Sequence, residues 1–241
     1  MTKRSKPGKT ALAGAFPGAR SDVLHLLKTA GAMTAGGIAA RLRITREGAR
    51  QQLELLEKDG WIARATRAAK RRAGRPAVVF ALTPAGDHLF PKHYDALALA
   101  LMDTVTARLG STALLKLLTA LTDQQVQQWE SRLAGKPLLQ RLRALKGIYF
   151  AGDPFTAVDK DQRGYVLTEH NCPYLTLAMH RPRLCSVTVS TLTRLLGVRV
   201  VREKRFQDGD QRCAFRVLAD QPVNPRKFRF AFEGSRDPTE F

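Results

Sequence analysis

Apolar side chains recur along the first ninety residues in short runs of helical spacing, each opened by a hydroxyl residue. Val23, Leu24, Leu26 and Leu27 form one face of a helix that Ser21 can cap and that ends near Gly31. Thr34 stands before AGGIAARLR, and Thr45 before REGARQQLELLEKDG, where Ala49, Leu53 and Leu56 recur at spacings of four and three with Leu55 alongside. Gly60 supplies the stop. The period then shortens: WIARATRAAKRRAGRPAVVFALT reads as a two-stranded hairpin, with the loop Arg67 to Arg75 at its tip and Val78, Phe80 and Leu82 alternating along the return strand. Three short helices with a tight turn before the third, followed by a hairpin, predict a winged helix-turn-helix over residues 21–90.

Beyond Thr83 the pattern lengthens. No glycine falls between Gly86 and Gly110; Leu97, Leu101, Val105 and Leu109 make one stripe, and Leu114, Leu117, Leu118 and Leu121 another. Such stripes can pack onto the domain's own core. They are more helix than a small winged domain needs, so residues 91–146 are expected to be a dimerisation region that sets two reading helices on two half-sites. Residues 147–219 mix strands (GYVLTEH, QRCAFRVL) with short helices. The expected fold class is therefore α+β: an N-terminal winged helix, central dimerisation helices and a small C-terminal α+β domain. Residues 1–20, without periodicity, read as a disordered basic arm, and 220–241 as a tail, either an edge strand or an extension.

Charge changes the picture next. Forty Lys and Arg against 21 Asp and Glu leave +19, a surplus that favours a polyanionic partner over a merely solubilising surface. Residues 1–92 alone carry 18 basic and 6 acidic side chains, so most of the surplus sits on the N-terminal arm and the winged helix together. On the third helix Thr45, Arg46, Arg50, Gln51 and Gln52 lie near the end where recognition helices meet base edges, and Arg and Gln offer paired groups that match guanine and adenine. The alternative is an ordinary solvated face. At the hairpin tip Arg67, Lys70, Arg71, Arg72 and Arg75 are suited to phosphates or the minor groove. The partner expected is double-stranded DNA.

Three cysteines, Cys172, Cys185 and Cys213, are the only ones in the chain, spaced too widely for a zinc knuckle and too unevenly for a disulfide framework. No apolar run approaches a membrane span and no signal-peptide core opens the chain, so a reducing cytoplasm is expected, where thiols stay free, bind metal or switch. Cys172 follows a strand and precedes Pro173, Cys185 lies about three turns further on, and Cys213 sits in a second strand. Thiolates from three elements converge only through the fold, where they suit a soft iron–sulfur site. Arg181, Arg183 and Arg212 could help hold them deprotonated. The plain alternative is three small buried hydrophobes.

The segments GRPAVVFALTPAGDHLFPKHYDALALALMD, AGDP, GYVLTEHNCPYLTLA and GDQRCAFRV resemble the SufR-type iron–sulfur-sensing repressors, winged-helix proteins related to the broad ArsR and DeoR groups; the likeness runs from about residue 21 to 218. The resemblance implies a homodimeric repressor of iron–sulfur assembly genes on a palindromic operator. It implies a cluster, [4Fe–4S] in type, on Cys172, Cys185 and Cys213. Some relatives carry a further cysteine between the second and the last, and SVTVSTLTRLLGVRVVREKRFQDGDQR has none. His170 and Glu169 are then the candidates for the fourth ligand, with His180 or a ligand from solution behind them.

Catalysis finds little support: no triad context, phosphate loop or H-E-x-x-H helix is present, and no small-molecule substrate is expected. Two further readings stay open, a thiol-oxidation-sensing repressor without a cluster and an architectural DNA-binding protein with structural cysteines.

Overall fold

Threonine hydroxyls open two of the three N-terminal helices in the computed structural model, which describes residues 18–67, 77–148 and 155–233. Thr34 Oγ1 accepts the Gly37 amide at 3.1 Å and starts α2 (Ala35–Leu42); Thr45 Oγ1 accepts the Gly48 amide at 3.0 Å and starts α3 (Arg46–Lys58). Each satisfies a helix-end donor that has no partner within the helix. The first helix differs from the sequence expectation. α1 (Ala19–Ala30) is capped at Gly18 with no side-chain bond, and Ser21 is buried inside the first turn. Arg43, at φ 56°, makes the left-handed turn between α2 and α3.

The apolar stripes meet as read. Val23, Leu24 and Leu27 of α1 pack with Ile38 of α2 and with Ala49, Leu53 and Leu56 of α3. Full burial of each such leucine or isoleucine is worth about 1.5–3 kcal/mol. β1 (Ile62–Arg67) pairs antiparallel with β2 (Ala77–Leu82), Ile62 opposite Leu82. Val78, expected inward, is half exposed, while Val79 and Phe80 are both buried. Phe80 also exchanges backbone bonds with Met33 (2.8 and 3.0 Å), so β2 is paired on both edges there. Behind the hairpin, α4 (Pro84–His88) is fixed by Thr83, whose hydroxyl donates to the Gly60 carbonyl at 2.7 Å and accepts the Gly86 amide at 3.0 Å. At Gly86 a Cβ would stand 1.9 Å from the Trp61 carbonyl oxygen, so only glycine fits.

The chain divides at His93/Tyr94 into two compact units. The second contains α5 (Tyr94–Leu109), α6 (Ser111–Leu133), α7 (Leu138–Ile148), β3 (Ala157–Asp161), β4 (Gly164–Glu169), α8 (Leu175–His180), α9 (Ser186–Leu196), β5 (Val198–Lys204) and β6 (Cys213–Pro222). Its strands form one antiparallel sheet in the order β3-β4-β6-β5. Val126 and Leu133 of α6, Leu142 and Leu145 of α7, and Leu192 and Leu196 of α9 share one core with Leu167, Val200, Phe215 and Val217 of the sheet. The helices expected at 91–146 and the sheet-bearing segment after them are thus packed together. The reason is local: α6 carries apolar residues on more than one face, burying Leu114, Leu118 and Val126 while Leu117 and Leu121 stay exposed. On α5 the stripe stays outside, Leu97, Leu101 and Leu109 being 60%, 57% and 69% exposed. The tail also joins the fold, with Phe230 and Phe232 buried against Leu114, Leu118 and Val187.

Candidate nucleic-acid interface and cysteine cavity

Because Ala49, Leu53 and Leu56 face the core, the helical period turns Arg46, Arg50 and Gln51 to solvent; Gln52 is half-buried, and Thr45 is spent on its cap although exposed. Arg50 lines an open, polar groove of about 480 Å³ with Glu54, the start of α2 at Thr34–Gly36, and Arg64 of β1. Sequence reading missed Arg64. Its guanidinium pairs with Glu57 at 2.8 Å and lies over the Phe80 ring at 5.6 Å, held at the groove edge. Its signal was a charge in β1 two residues after buried Ile62 and therefore on the same face of the strand. Arg67 closes β1, and Lys70, Arg71, Arg72 and Arg75 lie outside the described residues.

In the second unit the sheet register starts the other site. Glu169, the last residue of β4, stands directly opposite Cys213, the first of β6, and both are buried, at 5% and 3% exposure. The chain turns after β4 through Cys172 into α8, and a single 3-10 turn, Pro182–Cys185, carries Cys185 to the start of α9. The result is a cavity of about 30 Å³, room for one or two waters, lined by all three cysteines together with Glu169, Arg202 and Gln207. Of the two foremost fourth-ligand candidates, Glu169 lines it and His170 is exposed; His180 lies elsewhere, its Nδ1 2.8 Å from the Thr176 carbonyl oxygen. Among the described residues no three His, Cys, Asp or Glu side chains are gathered closely enough to hold a single metal ion.

The electrostatics differ from the expectation. Arg181 is paired with Asp103 on α5 (Nη2 to Oδ1, 2.6 Å), Arg183 stacks over Phe232 at 5.3 Å, and Arg212 is exposed. The cation at the cavity is Arg202, which the sequence reading passed over. Its side chain is 3% exposed, its Nη2 donates to the Cys185 carbonyl at 2.9 Å, its Nε to Glu233 at 3.0 Å, and it stacks on Phe215 at 4.5 Å. A charge continuing the inward set Val198, Val200, Arg202 was the available signal. Gln207 Nε2 donates to Cys185 Sγ at 3.1 Å and to the Ala178 carbonyl at 3.0 Å, leaving its Oε1 buried without a partner among the described residues.

Burial pushes the Cys172 thiol up to about 11, with a hydrogen bond from the Tyr174 backbone amide opposing. It pushes Cys185 up as well, with Arg202 opposing. These two are therefore neutral thiols at physiological pH, and binding a metal there must release protons.

No described helix is long and apolar enough to cross a membrane. No curated protein and no solved structure matches the chain. Residues 16–73 match the MarR family, whose members are regulators rather than enzymes and bind DNA, usually as dimers. With three helices and a hairpin in that order, the match makes the N-terminal unit the winged-helix DNA-binding domain of a transcription regulator.

Proposed function

We propose that this regulator is a homodimeric repressor of iron–sulfur assembly genes, and that its grip on a palindromic operator depends on a [4Fe–4S] cluster held by Cys172, Cys185 and Cys213. The observation that carries the reading is the gathering of all three cysteines, from a turn, a 3-10 segment and a strand, at one cavity. The donor chemistry suits a cluster, with three sulfurs, a buried carboxylate at Glu169 for the fourth position, a cation at Arg202 to balance thiolate charge and an unsatisfied acceptor at Gln207, while the cavity of about 30 Å³ has to widen to take one. When bound, the cluster supplies an oxidant-labile tie between the three elements. The chain's own part is to hold β4, the Cys185 turn and β6 in one arrangement and pass it to the helices. The bare stripe Leu97, Leu101 and Leu109 on α5 supports a second copy as the dimer partner.

The test is anaerobic purification, visible absorption with iron and sulfide content, and titration of promoter DNA from iron–sulfur assembly genes before and after cluster removal. The expected result is a brown, sulfide-containing protein whose affinity falls by about 5- to 150-fold on cluster loss, the range of ordinary allosteric couplings. A colourless protein that binds equally well after attempted reconstitution overturns the reading. Disulfide-dependent binding would then favour a thiol switch, and indifference to Cys→Ser changes an architectural role.

A further inference from the structure

After Pro222 the chain leaves the sheet and comes back to the rim of the cysteine cavity. The Val223 amide bonds the Gly197 carbonyl at 2.9 Å, and the Asn224 carbonyl accepts the Lys227 and Phe228 amides at 3.1 and 3.0 Å. Phe230 and Phe232 then sink edge-to-face, 5.5 Å apart, onto Leu114, Leu118 and Val187. The last described residue is Glu233, and the attachments around it converge. The Glu233 amide donates to Ser186 Oγ at 2.9 Å, its carboxylate accepts from Arg202 Nε at 3.0 Å, and Phe232 lies under the Arg183 guanidinium. Ser186 adjoins Cys185, Arg183 is two residues before it, and Arg202 holds its carbonyl. Every one of these attachments bears on the turn that carries Cys185.

The cavity beside that turn has room for one or two waters only. Cys185 is only partly exposed, so a larger group bonded to its Sγ outgrows that space and presses on the lining, and β4 and β6 cannot give without breaking sheet bonds. The 3-10 turn can give, because it carries no sheet bonds: single bonds from Arg202 and Gln207 tie Cys185, and the returning segment rests on the turn's flanks at Arg183 and Ser186. The buried Arg202–Glu233 pair adds a charge condition. If Glu233 leaves alone, a buried guanidinium loses its counter-ion, an expensive loss; if the cavity gains an anionic group, Arg202 keeps one.

We propose that residues Asn224–Glu233 are a latch on Cys185: docked, they press the Pro182–Cys185 turn inward and keep the cavity shut, and a group bonded to the Cys185 sulfur drives them off. By linkage the effect runs both ways, so undocking the latch opens Cys185. Release also bares the aromatic pair and the apolar face of α6 and α9, turning a change at one sulfur into a change of surface. The latch acts whatever Cys185 bonds to, so its test stands apart from the iron measurement above.

The test follows backbone hydrogen exchange in residues 225–232 and the iodoacetamide reaction of each cysteine by mass spectrometry, in the full chain. Phe232→Ala, which leaves charge unchanged, is expected to raise both tail exchange and the Cys185 alkylation rate by about tenfold, within the usual range of allosteric couplings. Glu233→Gln should do the same and serves if Phe232→Ala lowers the unfolding transition below the assay temperature. Conversely, wild-type protein alkylated at Cys185 should exchange 225–232 at least about fivefold faster than unmodified protein. Exchange unchanged by alkylation, or a Cys185 rate unchanged when the tail is loosened, overturns the latch. Protein that takes up no iron yet shows both effects keeps the latch and discards the cluster.

Discussion

In the N-terminal unit Arg46, Arg50 and Gln51 stand on the solvent side of α3, opposite Ala49, Leu53 and Leu56, so one helical period sorts the exposed polar residues from the core. In the C-terminal unit Cys213 belongs to the apolar core itself, packed with Leu167, Phe215 and Val217. The first arrangement presents guanidinium and amide groups at the surface and depends on local spacing. The second gathers groups from 42 residues of chain, Cys172 to Cys213, and depends on sheet register. A surface site tolerates changes to its own side chains without cost to the fold. A buried one shares its residues with the core, so chemistry and stability move together.

The largest effects test whether each unit stands on its own core. Leu53→Ala and Leu142→Ala each remove a side chain no more than 1% exposed and should cost about 2–5 kcal/mol. The two tryptophans fall one to each unit, Trp61 and Trp129. Denaturant unfolding in Trp61→Phe and Trp129→Phe backgrounds should show Leu53→Ala shifting the Trp61 transition and Leu142→Ala the Trp129 transition; a uniform shift of both would erase the comparison.

Gly86→Ala comes next. Its Cβ meets backbone, not a yielding side chain, so the N-terminal unit should lose about 1–3 kcal/mol in the same measurement. Arg50→Ala sharpens the surface side: DNA affinity should drop about fivefold or more, and the log–log salt slope should flatten by about 1 if the contact is to phosphate, read by fluorescence anisotropy, with the Trp61 transition unmoved. An affinity loss that tracks a stability loss would mean the residue is structural.

The smallest effect belongs to the buried side. Folding raises the Cys172 pKa from 9.0 to about 11, so the fold favours the neutral thiol. That contribution is complete below pH 9 and is lost as pH rises towards 11. Metal-free protein should lose stability across that window in thermal melts, and Cys172→Ser should flatten the loss.

Much of the N-terminal unit was legible beforehand because its determinants are local. Thr34 and Thr45 cap helices through a residue three positions on, and the α3 face follows from a spacing of three and four. Ser21 misled because Gly18 offered an earlier start, and Val78 because Met33 pairs with the second edge of β2. In the C-terminal unit the strands around Cys172 and Cys213 were readable. Arg202 was not, since nothing near it in sequence says that it reaches the Cys185 carbonyl.

The sequence by itself determined the starts of α2 and α3, the hairpin, the charged exposed face of α3 and the supply of three thiols, because caps and periods act over a few residues. Only the tertiary structure decided that Glu169 faces Cys213, that the aromatic tail folds back onto Ser186 and Arg202, and that α6 and α7 share the core of the sheet. Those pairings join residues tens of positions apart. Register and burial select them only when the whole core closes.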